Sequence, residues 1–118
     1  MTFSFYPNIF LVLSYPIEYT ESMVEIRQTE VYSEWFKSLS DRQARARIDV
    51  RIRRLSLGNP GDVKSVGEGV SELRIDYGPG YRIYFLQQGP ALVILLAGGD
   101  KRTQDRAIKI AQELARQL

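Results

Sequence analysis

The stretch VSELRIDYGPGYRIYFLQQGPALVILLAGGDKRTQ, residues 70–104, constrains the fold more than any other part of this 118-residue chain. Its centre, Tyr77-Gly78-Pro79-Gly80, is a hairpin connection by composition, because glycine supplies positive φ and proline presets φ near about −65°. Before the turn, Leu73, Ile75 and Tyr77 alternate with Glu72, Arg74 and Asp76. After it, Tyr81, Ile83 and Phe85 alternate with Arg82 and Tyr84. A period of two predicts strands that are apolar on one face, here over residues 70–77 and 81–86. The ALVILLA run at 91–97 is apolar on both faces and is expected as the central strand, and the glycine-rich corner after it carries Lys101 and Arg102. Cations fixed on rigid strands suit a phosphate backbone better than a small apolar ligand, so this sheet is a candidate nucleic-acid surface.

Upstream, residues 24–27 form a short strand candidate. Thr29 offers an N-cap to a helix whose Tyr32, Trp35, Phe36 and Leu39 fall at i, i+3, i+4, i+7. Trp35 belongs by this spacing to the helix-packing core. Ser40, with Gln43 three residues on, matches the capping-box pattern for a second helix. Ala44, Ile48, Ile52 and Leu55 form its apolar stripe, and Gly58-Asn59-Pro60-Gly61 stops it. A last helix over about 103–118 has Ala107, Ile108, Ala111 and Leu114 as its inner stripe. The expected fold class is α+β: a helix hairpin packed on a small, mainly antiparallel sheet in the order β-α-α-β-β-β-α. The sheet's other face is expected to be half polar and concave.

Residues 1–22 differ from the rest. They hold Pro7 and Pro16, many aromatics and no Lys or Arg. The apolar run at 9–13 is too short to span a bilayer, which takes about 20 residues, and no basic stretch precedes it as a secretory signal would require. This segment is expected to be a poorly ordered extension, or to lie upstream of a natural start at Met23. The alternative is an extra strand or arm covering an apolar patch. Residues 23–118 form the single domain. All 16 Lys and Arg lie in that domain, whereas two of the 14 acids, Glu18 and Glu21, precede it, so the domain is more basic than the overall +2. Such a balance favours an anionic partner. Cysteine and histidine are both absent. Disulfides, thiolate nucleophiles, the usual zinc sites and the commonest general base are thereby excluded. Chemistry would fall to Lys, Arg, Tyr, Asp or Glu, and no acidic cluster suggests a metal site.

The run VGEGVSELRIDYGPGYRIYF followed by LVILLAGGDKRTQ resembles the phage-derived addiction-module killer proteins, a branch of the RelE/ParE toxin superfamily close to HigB. The resemblance covers residues 23–118 and rests on an ELRI strand, a YGPGYR hairpin and an LLAGGDKRTQ corner, in that order. It implies a RelE-like fold and the toxin of a type II toxin–antitoxin pair. Such a toxin is a cytoplasmic, metal-independent endoribonuclease that cleaves mRNA, in a ribosome-dependent way, and inhibits translation. The implied partners are mRNA, the ribosome and a cognate helix-turn-helix antitoxin; no cofactor and no membrane are expected. Two rival readings remain on the same scaffold: a ParE-like gyrase inhibitor, and a non-catalytic RNA- or partner-binding module.

Cleavage of RNA by its own 2′-OH requires deprotonation, in-line alignment, stabilisation of the phosphorane and protonation of the leaving 5′-oxygen. Arg82 matches the family's phosphate-binding arginine, and its guanidinium fork can hold two phosphate oxygens. The competing reading is an exposed strand arginine paired with Glu72 or Asp76. Arg74, on the neighbouring strand, would share the same phosphate or form the same salt bridge. Asp76 stands where relatives often carry histidine, which puts histidine-dependent mechanisms in doubt. Lys64, in the DVKSVG loop where the family places a cation, would act as a base or be merely solvated. Lys101 would contact phosphate, helped by outward-facing amides of the last helix's first turn. Arg102 is the weaker contact there, and Gln104 would bond a base or ribose, or cap its own helix. Tyr77 and Tyr81 are expected in the core, leaving Tyr84 on the polar side to stack on a base or donate a proton. Arg45 and Arg53, on the arginine-rich second helix, would contact RNA electrostatically or remain solvated.

Overall fold

The computed structural model describes residues 12–13 and 24–118. Strands β1 (Val12–Leu13), β2 (Glu25–Gln28), β3 (Val63–Ser65), β4 (Val70–Ile75), β5 (Tyr81–Gln88) and β6 (Leu92–Gly99) form one sheet, with helices α1 (Glu30–Lys37), α2 (Arg42–Ser56) and α3 (Gln104–Arg116). The strand order is β1-β2-β6-β5-β4-β3. Among the described residues only the β2–β6 pair is parallel. This is the expected α+β domain, and β6 lies inside the sheet as its two apolar faces required. The expectation of poor order for residues 1–22 lies outside the described residues, apart from Val12–Leu13, which pairs antiparallel with β2.

Two details of the sequence reading need correction. The N-cap of α2 is Asp41, not Ser40; its carboxylate accepts from the amides of Gln43 (2.9 Å) and Ala44 (3.2 Å). A charged acceptor at the positive end of the helix prevails over the capping-box hydroxyl one residue earlier. Lys64 lies on a strand rather than in a loop. Val63–Ser65 is too short and polar to announce itself by periodicity, and it is extended because it pairs with β4.

The sheet buries both faces, which the sequence reading did not anticipate. Against α1 and α2 lie Ile26, Leu73, Ile75, Tyr81, Ile83, Phe85, Val93 and Leu95, meeting Tyr32, Ala44, Ile48, Ile52 and Leu55. Against α3 lie Val70, Tyr84, Ile94, Leu96 and Ala97, meeting Ala107, Ala111 and Leu114. A register shift between β5 and β6 makes Leu96 the extra residue of its strand. The bulge turns Leu96 and Ala97 together toward α3. Thr29 ties this point to α1: its hydroxyl donates to the Leu96 carbonyl (2.7 Å) and accepts from the Tyr32 amide (3.1 Å). The half-polar concave face is thus reduced to the hairpin end of β4 and β5, beyond the reach of α3.

One glycine is required by close approach. A Cβ on Gly98 would stand 2.1 Å from Cε3 of Trp35. That indole cannot swing away easily, since it packs against the rings of Tyr32 (5.7 Å) and Tyr81 (6.4 Å). Gly98→Ala is expected to destabilise the fold by about 1–3 kcal/mol, the usual range for overpacking, read as a lower urea midpoint. An unchanged midpoint would show that the Trp35 contact yields freely.

Candidate functional site

The antiparallel register of β4 and β5 sets Arg74 opposite Arg82 and Glu72 opposite Tyr84, so all four side chains share one face. Glu72 is fully buried and is the centre of the group. Its Oε1 accepts from Arg74 Nε (3.1 Å), and its Oε2 accepts from the Tyr84 hydroxyl (2.9 Å) and from Gln104 Nε2 (2.7 Å). Arg82 Nε stands 3.9 Å from the same Oε2. Burial pushes the Glu72 carboxyl up, but hydrogen bonds from Gln104, Tyr84 and Arg74, together with the charge of Arg82, outweigh it and hold the group below its ordinary value. Two guanidinium groups can therefore sit side by side over an anion supplied by the protein itself.

That anion does not satisfy both of them. The Arg82 side chain is only 11% exposed, yet its buried Nε has no hydrogen-bond partner. The Oε2 lone pairs it would use are taken by Tyr84 and Gln104. A buried orphan donor on a cation is a group in need of an acceptor. Lys101 approaches Arg82 from the corner after β6. Gly80, at φ +81, separates them with no side chain of its own: a Cβ there would lie 3.6 Å from Lys101 Cβ and 3.9 Å from Arg82 Nη1. The Lys101 amide donates to Pro79 O (3.3 Å), which ties the corner to the hairpin. Arg74, Arg82, Lys101, Asp76, Asp62 and the hairpin line a groove of about 300 Å³. Asp62 and Asp76 are exposed.

The remaining sequence candidates are distributed unevenly around this groove. Tyr84 is on the face predicted by alternation, but it is fully buried and its hydroxyl is committed to Glu72. Burial and the Glu72 carboxylate raise its pKa well beyond the tyrosine range. It positions Glu72 and has no access to a substrate. Lys64 pairs across the sheet with Glu72, which places it on the groove side of edge strand β3, with an exposed side chain. Gln104 neither caps α3 nor points outward, because its amide is spent on Glu72. Arg102 is 84% exposed and pairs loosely with Asp100 (3.6 Å). In the corner before α3, Asp100 Oδ1 accepts from the amides of Arg102 (2.8 Å) and Thr103 (3.2 Å), so these two amides are occupied. Arg45 folds back onto the Leu39 carbonyl, and Arg53 is exposed on α2, away from the residues that line the groove.

Glu72 as a hub and Arg51 as a clamp were not foreseen. Arg51 reaches from α2 and donates to the carbonyls of Arg74, Pro60 (2.9 Å) and Asp62 (3.5 Å), fixing one wall of the groove to the helix. The alternation of Glu72 with Arg74 was visible in the sequence. No local signal marks Gln104 or Arg51 as their partners. Among the described residues no three acidic side chains gather into a metal-binding group, and no helix is long and apolar enough to cross a membrane.

Comparison with known proteins extends over most of the chain. An uncharacterized protein of Haemophilus influenzae (strain ATCC 51907 / DSM 11121 / KW20 / Rd) is 50% identical over 95 residues, which is 80% of this chain and 96% of that protein. No solved structure matches. The family model described as phage derived protein Gp49-like (DUF891) matches residues 34–118, which span α2, the groove-forming strands and α3. This chain belongs to the Gp49-like family of phage-derived proteins.

Proposed function

We propose that this protein is the toxin of a type II toxin–antitoxin pair, a HigB-like member of the RelE/ParE superfamily that cleaves mRNA. Its place of action is the cytoplasm, at the ribosome, and its cognate antitoxin is a helix-turn-helix protein that covers the cationic groove. The observation that carries the reading is the Arg74–Arg82 pair over buried Glu72, with an orphan Arg82 Nε and Lys101 alongside. The resemblance of the ELRI, YGPGYR and LLAGGDKRTQ motifs to addiction-module killer proteins supports it.

In this reading the scissile phosphate lies on Arg82 and Arg74, and Lys101 neutralises charge that grows on the phosphorane. The 2′-oxygen attacks phosphorus as its proton passes to a base, and the bond to the 5′-oxygen breaks as that oxygen takes up a proton. The products are a 2′,3′-cyclic phosphate and a 5′-hydroxyl. With Tyr84 bound to Glu72, proton transfer falls to Lys64, Lys101 and Asp76. None of these needs a resident metal.

Tyr84 being sealed away also favours a second reading, an RNA-binding module without cleavage. Induced expression of the full chain in bacteria, beside Arg82→Ala, with mapping of RNA 5′ ends, separates the alternatives. Growth arrest with discrete new mRNA ends, both lost in Arg82→Ala, is the expected result. Arrest with intact mRNA overturns it and points to gyrase. Healthy growth with abundant folded protein favours the non-catalytic module.

A further inference from the structure

The arginines of α2 fall into two stripes on either side of its buried row Ala44, Ile48, Ile52, Leu55. Arg42, Arg45 and Arg53 flank one side, and Arg47, Arg51 and Arg54 the other. The second stripe faces the end of β4 and lines a groove of about 430 Å³ whose apolar surface comes from Ala46, Val50 and Ile75. Val50 is 49% exposed, an apolar side chain presented between cations. Ile75 and Asp76 line both this groove and the Arg74–Arg82 cleft, so the two adjoin at the end of β4. Arg47 is held by a cation–π contact: its Cζ lies 4.5 Å from the centre of the Tyr77 ring. The ring is itself anchored, because the Tyr77 hydroxyl contacts Asp41 Oδ2 (3.1 Å) and Gln43 Oε1 (3.4 Å). The Arg47 side chain is otherwise exposed, so its guanidinium is accessible from solvent.

We propose that this α2 groove seats the nucleotides that flank the phosphate in the cleft, with a base stacked on Arg47. The inference rests on the RNA reading of the Arg74–Arg82 cleft. Cationic walls over an apolar floor suit a single strand, whose phosphates and base faces need both. An acidic peptide would use the charges, but it gains little from a planar guanidinium held over an aromatic ring, whereas a nucleobase can stack on that guanidinium.

The test uses the full chain and fluorescein-labelled RNA of three and nine nucleotides, 2′-O-methylated throughout so that no 2′-OH can attack. Affinities are read by anisotropy. The nine-nucleotide strand is expected to bind about tenfold more tightly than the three-nucleotide one, the scale of one stacked base. Arg47→Ala should cut that gain below about twofold. Arg47→Lys, which keeps the charge but cannot lie flat, should not restore it. Arg82→Ala should weaken both strands alike. A length gain that survives Arg47→Ala overturns the groove and leaves the cleft standing. Binding indifferent to Arg82→Ala overturns the cleft and the inference together. A 20-residue poly-glutamate peptide that binds in an Arg47-dependent manner, while RNA shows no length gain, overturns the proposal in favour of an acidic protein partner.

Discussion

Glu72→Ala is expected to cost about 3–5 kcal/mol of folding stability, the range for breaking a buried charged pair from one side. The carboxylate is fully buried and serves Arg74, Tyr84 and Gln104 directly and Arg82 electrostatically. Its removal strands a tyrosine hydroxyl beneath α3 and leaves two adjacent guanidinium groups with no anion between them. Urea unfolding measures the loss. Glu72→Gln keeps the shape and removes the charge, and it carries the pH dependence. The folded carboxyl lies below its ordinary value, so its contribution is fully present above the unfolded value of about 4.3 and is lost as pH falls through the lower folded value. The stability gap between wild type and Glu72→Gln should therefore be constant near neutrality and shrink in acid. A gap that stays constant down to the acid transition would show that Glu72 is not held as an anion.

Arg82→Ala is expected to slow mRNA cleavage by the purified protein on ribosomes about 10²–10³-fold, comparable to removing one positioned donor to a developing oxyanion. The fold should survive, because Glu72 keeps Arg74, Tyr84 and Gln104. Far-ultraviolet circular dichroism and the urea midpoint check this point independently of activity. Arg82→Lys should recover little, since an ammonium group places one point charge where a planar fork would hold two oxygens. Full activity in Arg82→Ala protein would remove the central element of the proposed mechanism. Equal losses in rate and stability would instead assign Arg82 a structural role beside Glu72.

Much of this arrangement was legible in the chain itself. Alternation in residues 70–86 put Arg74, Arg82 and Tyr84 on one face, and the glycine-proline turn brought them opposite one another, because pairing across a short hairpin leaves little freedom of register. The doubly apolar run at 91–97 placed β6 inside the sheet. The apolar stripe of α2 and the Thr29 cap were equally local. Strand β3 escaped notice because three residues, mostly polar, carry no period and are extended only by virtue of β4.

What the sequence determined by itself follows from short-range chemistry: strand and helix periods, turn residues, caps and the absence of His and Cys. Which face would be open was not of that kind. Alternation marks Tyr84 and Arg82 as equivalent, yet α3 packs over one and stops short of the other, so one is sealed and the other faces a groove. Gln104 reaches Glu72 across 32 positions of sequence and Arg51 reaches Arg74 across 23. Contacts at such separations depend on where whole elements dock, which is a property of two packed cores and not of any local run. Tertiary packing therefore turned a row of alternating charges into a buried anion, two guanidinium groups and one unsatisfied donor.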